Sequence, residues 1–189
     1  GVTLNSSWIW RSAMTPRLSG RLAATDLIDD LWLGYAKVSA ASATTAVLVT
    51  QGKDADPSAV AVAAAFAGAK GAFFLPVSKS GDAVRANKYL VQQKVTDVIL
   101  VGEVDSVLRS KLTSSGINYR TFSAGTTAGV STLLATELGA LGDVVLASDD
   151  DPTTWPLAVS LATRKKAPLL MLHGNVLSPE LSLWLATQS

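Results

Sequence analysis

Five short and uninterrupted apolar runs, separated by segments long enough to form helices, constrain the fold of this chain more than any other feature. Because the runs show no alternation of polar and apolar residues, they are typical of strands that are covered on both faces of a parallel sheet. The intervening segments are rich in alanine or carry apolar residues at helical spacing. The sequence therefore predicts an α/β fold of layered, mostly parallel sheets flanked by helices. The predicted strands are residues 46–50, 72–75, 98–101, 144–147 and 169–172, and the predicted helices include residues 24–35, 59–66, 83–91, 106–112, 130–141 and 157–163.

The order of these elements repeats along the chain. The first strand leads through a polar loop with Asp56-Pro57 and an Ala-rich helix to Lys70-Gly71-Ala72. The fourth strand leads through a polar loop with Trp155-Pro156 and another helix to Lys166-Ala167-Pro168. We therefore predict that the fold is built from nearly two copies of one α/β unit.

This repeat divides the chain into three parts. An extended N-terminal segment, residues 1–16, precedes a first unit at residues 17–119 and a second, incomplete unit at residues 120–189. Because the second unit is one strand and one helix shorter, a strand edge and an apolar helix face should need a cover. The candidate covers are the Trp8-Ile9-Trp10 part of the N-terminal segment, which we expect to pack against the units, another copy of the chain, or a following repeat.

Composition argues against several functional classes. The chain has 16 Lys and Arg against 15 Asp and Glu, a formal charge of +1, so it lacks the concentrated basic charge that a nucleic-acid partner would require. It has no cysteine and one histidine, so thiolate catalysis and Cys- or His-rich metal sites are not expected. The most apolar run, residues 59–69, is shorter than the ~20 residues of a transmembrane helix. No glycine-rich nucleotide motif and no nucleophile elbow is present, so we expect no cofactor, no metal and no catalytic residues.

Four short motifs occur in a particular order. They are Arg17-Leu18-Ser19-Gly20, Val98-Ile99-Leu100-Val101-Gly102, Trp155-Pro156-Leu157-Ala158 and Lys166-Ala167-Pro168-Leu169-Leu170. In this order they resemble the cell-wall-binding repeat 2 family of Gram-positive surface proteins, over residues 17–189. The chain departs from the family pattern where an acidic-Arg-Tyr cluster is missing after the opening glycine and where Glu103 replaces the second glycine of a Gly-Gly pair.

The resemblance implies a non-catalytic module that anchors an exported surface protein in the cell wall. Its partner would be an anionic wall polymer or glycan, with self-association or neighbouring repeats as further contacts, and its location would be the cell wall or cell surface. Two alternatives stay open. One is a metal-dependent α/β enzyme that processes sugars or nucleotides with Asp149–Asp151, and the other is a structural module that contacts other protein chains.

Two loops lie where open α/β sheets bind ligands, after the carboxyl ends of strands. In the first, Gly52 and Lys53 could hold a phosphate or carboxylate beside a helix N-terminus. The alternative is that Asp56 only caps the helix that Pro57 begins.

The second loop contains the adjacent carboxylates Asp149–Asp151 and ends at Trp155. Three carboxylates could bind a hard cation, although the spacing of a calcium loop is absent. The alternative is a solvated loop that a threonine caps and Trp155 anchors. We keep Trp155 among the candidate ligand-binding residues.

Arg164, Lys165 and Lys166 form the densest basic segment. They follow a predicted helix, so favourable interaction with its C-terminal dipole is the simplest explanation. The family resemblance instead makes them one edge of a patch for an anionic polymer. His173 follows a predicted strand with no nucleophile motif nearby, which favours a surface residue over a general base.

Overall fold

Strands and helices alternate in the computed structural model, which describes residues 43–50, 56–77, 80–139 and 142–188, all within the compact unit Ala43–Ser189. The strands are β1 (Thr45–Thr50), β2 (Phe73–Val77), β3 (Asp97–Val101), β4 (Asn118–Phe122), β5 (Val145–Ser148) and β6 (Leu169–Leu172). The helices are α1 (Pro57–Lys70), α2 (Ser80–Gln92), α3 (Ser106–Ser114), α4 (Thr127–Leu138), α5 (Trp155–Lys165) and α6 (Pro179–Ala186). This architecture confirms the predicted α/β class with parallel sheets flanked by helices.

The first sheet has the strand order β2-β1-β3-β4, and every pairing in it is parallel. Its central strands are buried, as their continuous apolar sequence predicts, with Val47 and Leu48 fully inaccessible. The outer strand β2 contains Pro76, which lacks a backbone N–H and is tolerated at a sheet edge. The other outer strand, β4, exposes Asn118 and Arg120.

The second sheet pairs β5 and β6 in parallel, from Val145 opposite Leu169 to Ser148 opposite Leu172. One apolar cluster extends from the first sheet into the second. It includes Val47 of β1, Phe66 of α1 and Met171 of β6. The two sheets therefore share a core, with α1 packed against both α4 and α5.

Small residues allow α1 and α5 to approach closely. A Cβ atom added to Gly68 of α1 would lie 2.8 Å from Cγ2 of Thr163 in α5 and closer still to its Oγ1. Such a distance is shorter than real Cβ contacts, so any larger residue at position 68 would force Thr163 or the helices to shift. The contact brings the last turns of the two helices together. The residues that end α1 and α5 therefore lie at the same end of this helix pair.

Four helices end in the same way, with a residue of positive φ followed by a backbone hydrogen bond to the carbonyl five residues back. The ending residues are Gly71 (φ 65°), Lys94 (φ 57°), Gly116 (φ 69°) and Lys166 (φ 52°), after α1, α2, α3 and α5. At the two repeated helices the bonds are Ala72 N–H to Ala67 O and Ala167 N–H to Ala162 O, both 2.9 Å. The same helix ending therefore occurs at the corresponding positions of both predicted repeat units.

The structure also contains two elements that the sequence pattern did not predict, β4 and α6. The boundary that we placed between residues 119 and 120 falls within β4, which pairs with β3 of the first sheet. The N-terminal segment at 1–16, with Trp8 and Trp10, and the predicted helix at 24–35 lie outside the described residues. Among the described helices, none has the length and apolar character needed to cross a membrane.

Candidate functional site

Asp56 joins the N-termini of two helices. One of its carboxylate oxygens accepts a hydrogen bond from Ser58 N–H at 2.9 Å and so caps α1, and the other accepts from the Thr127 hydroxyl at 2.5 Å, at the start of α4. Burial acts to raise the pKa of Asp56, but the hydrogen bonds from Thr127 and Ser58 outweigh it and hold the pKa below its ordinary value. The capping role that the sequence suggested for Asp56 is thus confirmed, with an additional link to α4.

Asp149 and His173 meet at the carboxyl ends of β5 and β6. The Asp149 carboxylate lies 2.8 Å from His173 Nδ1 and accepts a second hydrogen bond from Gly174 N–H at 2.8 Å. The hydrogen bond with His173 and then that from Gly174 lower the pKa of Asp149, while the same carboxylate raises the pKa of His173. The imidazole is largely exposed, so this pair ties the two loops together at the surface.

The loop between β5 and α5 uses its own polar groups to hold its shape. Asp151 accepts hydrogen bonds from the hydroxyl and the N–H of Thr153, at 2.5 and 3.3 Å. The indole N–H of Trp155 donates to Ser148 O at 2.8 Å, and its partly buried ring packs against the core. Trp155 therefore anchors the loop, whereas Thr154 precedes α5 without a side-chain cap.

These contacts bear on the metal-dependent alternative. Asp149 faces His173 and Asp151 faces Thr153, so the two carboxylates serve different partners. In the part of the chain that the structure describes, no three His, Asp or Glu side chains are arranged to hold a metal ion.

The basic segment lies at the opposite end of α5. Lys165 forms an ion pair with Asp143, with 3.1 Å between Nζ and Oδ2, and both side chains are more than half exposed. Arg164 and Lys166 are exposed and have no acidic partner among residues 43–50, 56–77, 80–139 and 142–188. Among the described residues, only Lys165 of these three cations is therefore held in an ion pair.

Lys70, at the end of α1, lies at the same end of the α1–α5 pair. Its ammonium group donates to Glu137 O at 3.0 Å and lies 3.9 Å from the Glu137 carboxylate. That carboxylate also accepts two hydrogen bonds from Arg120, at 2.8 and 2.9 Å. Lys70 is thus committed to a structural network that joins α1, α4 and β4.

The predicted ligand-binding residues do not form one cluster. Trp155 begins α5 and Lys165 ends it, which separates them by about 15 Å at the usual helical rise. Gly52 and Lys53 lie outside the described residues. The structure brings together only Arg164, Lys165 and Lys166.

The sequence contained a signal for one contact that we did not predict. Asp149 and His173 each follow directly after an apolar strand, and adjacent parallel strands place their carboxyl ends at one edge. No such signal marks the Lys70–Glu137–Arg120 network, because it joins three elements through side chains on different helix and strand faces.

The described fold has a known counterpart. Cwp6 from Clostridium difficile matches it with a TM-score of 0.69 and 18% sequence identity, over 84% of this chain and 26% of that chain. No protein-family model matches the sequence, and no curated protein matches it. At this identity the likeness shows that this chain and part of Cwp6 share a fold.

Proposed function

We propose that this chain is a non-catalytic module that anchors an exported protein in the cell wall by binding an anionic wall polymer or glycan. The observation that carries the proposal is the likeness to Cwp6, a cell wall protein, over 84% of the chain. The motif order noted in the sequence supports the same class of function.

The exposed end of α5 is the proposed contact surface. Arg164 and Lys166 are exposed and have no ion pair with the described residues that a negatively charged polymer would first have to break, and Lys165 lies between them. The C-terminus of a helix carries a partial negative charge, so the backbone there repels an anion. Binding must therefore come from the cationic side chains at this end of α5.

Gly52, Lys53 and Trp155 remain a second proposed contact. In the sequence they precede or begin the helices α1 and α5, whereas the basic segment lies at the C-terminal end of α5. A polymer that touched both Trp155 and the basic segment would have to extend along α5, over about 15 Å.

Cosedimentation with isolated cell wall tests the proposal. We expect the chain to sediment with a wall fraction at low salt and to be released as rising salt screens the charges. The double substitution Arg164→Gln and Lys166→Gln should weaken retention about tenfold, since two exposed ion pairs are worth about 0.7 kcal/mol each.

The matched control replaces two exposed lysines on other helices, Lys88→Gln on α2 and Lys111→Gln on α3. It removes the same net charge from a different surface and should leave retention within twofold of the parent. The proposal is wrong if the parent binds no wall fraction at low salt. An equal loss in the control would refute the assignment to the end of α5.

A further inference from the structure

Helix α5 buries small side chains and exposes large apolar ones. Its buried residues Ala158 and Ala162 are 9% and 0% exposed and belong to the shared apolar cluster. Leu157 and Leu161, in contrast, are 74% and 44% exposed. The small inner side chains suit the close approach of α5 to α1 at Gly68. Packing within the described part of the chain therefore accounts for the two alanines but not for the two leucines.

The two leucines continue into the basic end of the same helix. Leu157, Leu161 and Arg164 are spaced by four and then three residues, so they lie within an arc of about 60° on one helix face. Side chains at these spacings are neighbours. All three are exposed, and α5, Trp155–Lys165, contains no acidic residue. We call Leu157, Leu161 and Arg164 the α5 ridge.

The α5 ridge covers the distance between the ends of the helix at which polymer contact is proposed. Nine residues separate Leu157 from Lys166, which is about 14 Å at the usual helical rise. A polymer bound at the basic end and extended along α5 would therefore lie over the leucines. A polyanion without apolar groups gains nothing there, whereas the C–H groups on the face of a sugar ring exclude water from an apolar side chain.

We propose that the α5 ridge binds a polymer in which anionic groups alternate with sugar units. The apolar faces of the sugars cover Leu157 and Leu161, and an anionic group pairs with Arg164. This inference rests on the proposed function and names the chemistry of its ligand, an anionic glycan in which sugar and charge both contribute to binding.

Charge complementarity supports this occupant. Arg164 and Lys166 are exposed and have no acidic partner among the described residues. A neutral apolar partner would cover the leucines, but it would also bury Arg164, three residues beyond Leu161, without an opposite charge. An anionic glycan supplies both the apolar contact and the opposite charge.

Alkylation of a single introduced cysteine tests the contact, because the chain has no cysteine of its own. The Leu157→Cys variant reacts with iodoacetamide in the absence and in the presence of the cell-wall fraction used for cosedimentation. We expect the wall to slow alkylation about fivefold when nearly all of the protein is bound, since the reagent cannot reach a covered thiol. The Leu183→Cys variant places the thiol on α6 at a residue that is 71% exposed, and the wall should leave its rate unchanged.

Retention of substituted chains separates the apolar contact from the charged one. The double substitution Leu157→Gln and Leu161→Gln should weaken retention about fivefold, and by the same factor at every salt concentration, because salt does not screen an apolar contact. The loss caused by Arg164→Gln should instead shrink as the salt concentration rises. The matched control Leu183→Gln should leave retention within about twofold of the parent, as expected for an exposed residue away from the contact. Circular dichroism verifies that every variant is folded.

Inorganic polyphosphate, a polyanion without sugar rings, tests the chemistry of the ligand. At a concentration that releases the protein from the wall, it should leave the Leu157→Cys variant as reactive as the free protein. Protection by polyphosphate as strong as that by the wall would overturn the sugar contact, because charge alone would then explain the binding.

Two further outcomes would overturn the inference. If the parent binds the wall but Leu157→Cys is protected no better than Leu183→Cys, the α5 ridge is not the contact, although the proposed function stands. If Leu157→Cys reacts slowly without any wall, another part of the chain or a second copy covers the α5 ridge, and analytical ultracentrifugation distinguishes these two. A parent that binds no wall fraction refutes the proposed function and this inference with it.

Discussion

At the scale of single residues, Lys94 and Lys166 occupy backbone positions where glycine is the usual residue. Their φ angles of 57° and 52° lie in the left-handed region, which Gly71 and Gly116 occupy at the equivalent ends of α1 and α3. A side chain in this region costs roughly 1–2 kcal/mol, of which the greater freedom of unfolded glycine offsets about half. Lysine at position 166 is therefore less favourable for stability than glycine would be. Under the proposed function, its side chain contributes to polymer binding instead.

The Lys166→Gly substitution should accordingly raise the free energy of unfolding by about 0.5–1 kcal/mol and weaken retention on cell wall. Lys94→Gly relieves the same backbone conformation at the end of α2, so it should raise stability equally and leave retention unchanged. Urea denaturation and cosedimentation measure the two effects separately. A lower stability of Lys166→Gly would contradict this account of the helix end.

At the scale of elements, α1 and α5, which are the corresponding helices of the two predicted repeat units, are in direct contact. Gly68 faces Thr163 so closely that a methyl group has no space. Gly68→Ala should therefore lower the free energy of unfolding, because the cost of overpacking, about 1–3 kcal/mol, exceeds the gain in helix propensity of about 1 kcal/mol.

Thermal denaturation of Gly68→Ala, Thr163→Ala and the double variant forms the test. Replacing Thr163 by alanine removes the atoms that the new methyl group would meet, so the double variant should be more stable than Gly68→Ala alone. If the two substitutions were simply additive, the helices would not be in contact at these residues.

The elements also show how far the sequence can be interpreted. The five predicted strands were found because each contains a continuous apolar run, which is typical of strands buried on both faces, although Leu146 of β5 is 50% exposed. Strand β4 was not predicted because it has no continuous apolar run. It lies at the edge of the sheet, pairs with β3 alone and exposes Asn118 and Arg120. Helix α6 has only eight residues, too few to show a helical period.

The candidate site was less predictable than the fold. Local rules correctly suggested the cap at Asp56 and the anchoring role of Trp155, because both act within a few residues of the chain. The pair of Asp149 and His173 joins residues 24 apart through the pairing of β5 with β6, which local rules do not describe. Lys165 has an acidic partner, whereas Arg164 and Lys166 have none among the described residues, and this difference depends on Asp143 in the loop before β5.

At the scale of the whole molecule, both sheets contribute to one apolar cluster, so the two units should unfold together. Met171 of β6 is 1% exposed and belongs to this cluster with Ile99 of the first sheet. Met171→Ala should lower the free energy of unfolding by about 2–5 kcal/mol, because it removes buried methylene groups and leaves a cavity. Because the two sheets share this packing, we expect both to lose the same amount of stability against unfolding.

Hydrogen exchange measured by mass spectrometry distinguishes a shared core from two independent ones. Under conditions of global opening, peptides from β1 and β3 should lose as much protection in Met171→Ala as peptides from β5 and β6. The surface variant Leu183→Ala, whose side chain is 71% exposed, should change neither sheet by more than about 0.5 kcal/mol. A loss confined to β5 and β6 would show that the two sheets unfold separately and do not share one cooperative core.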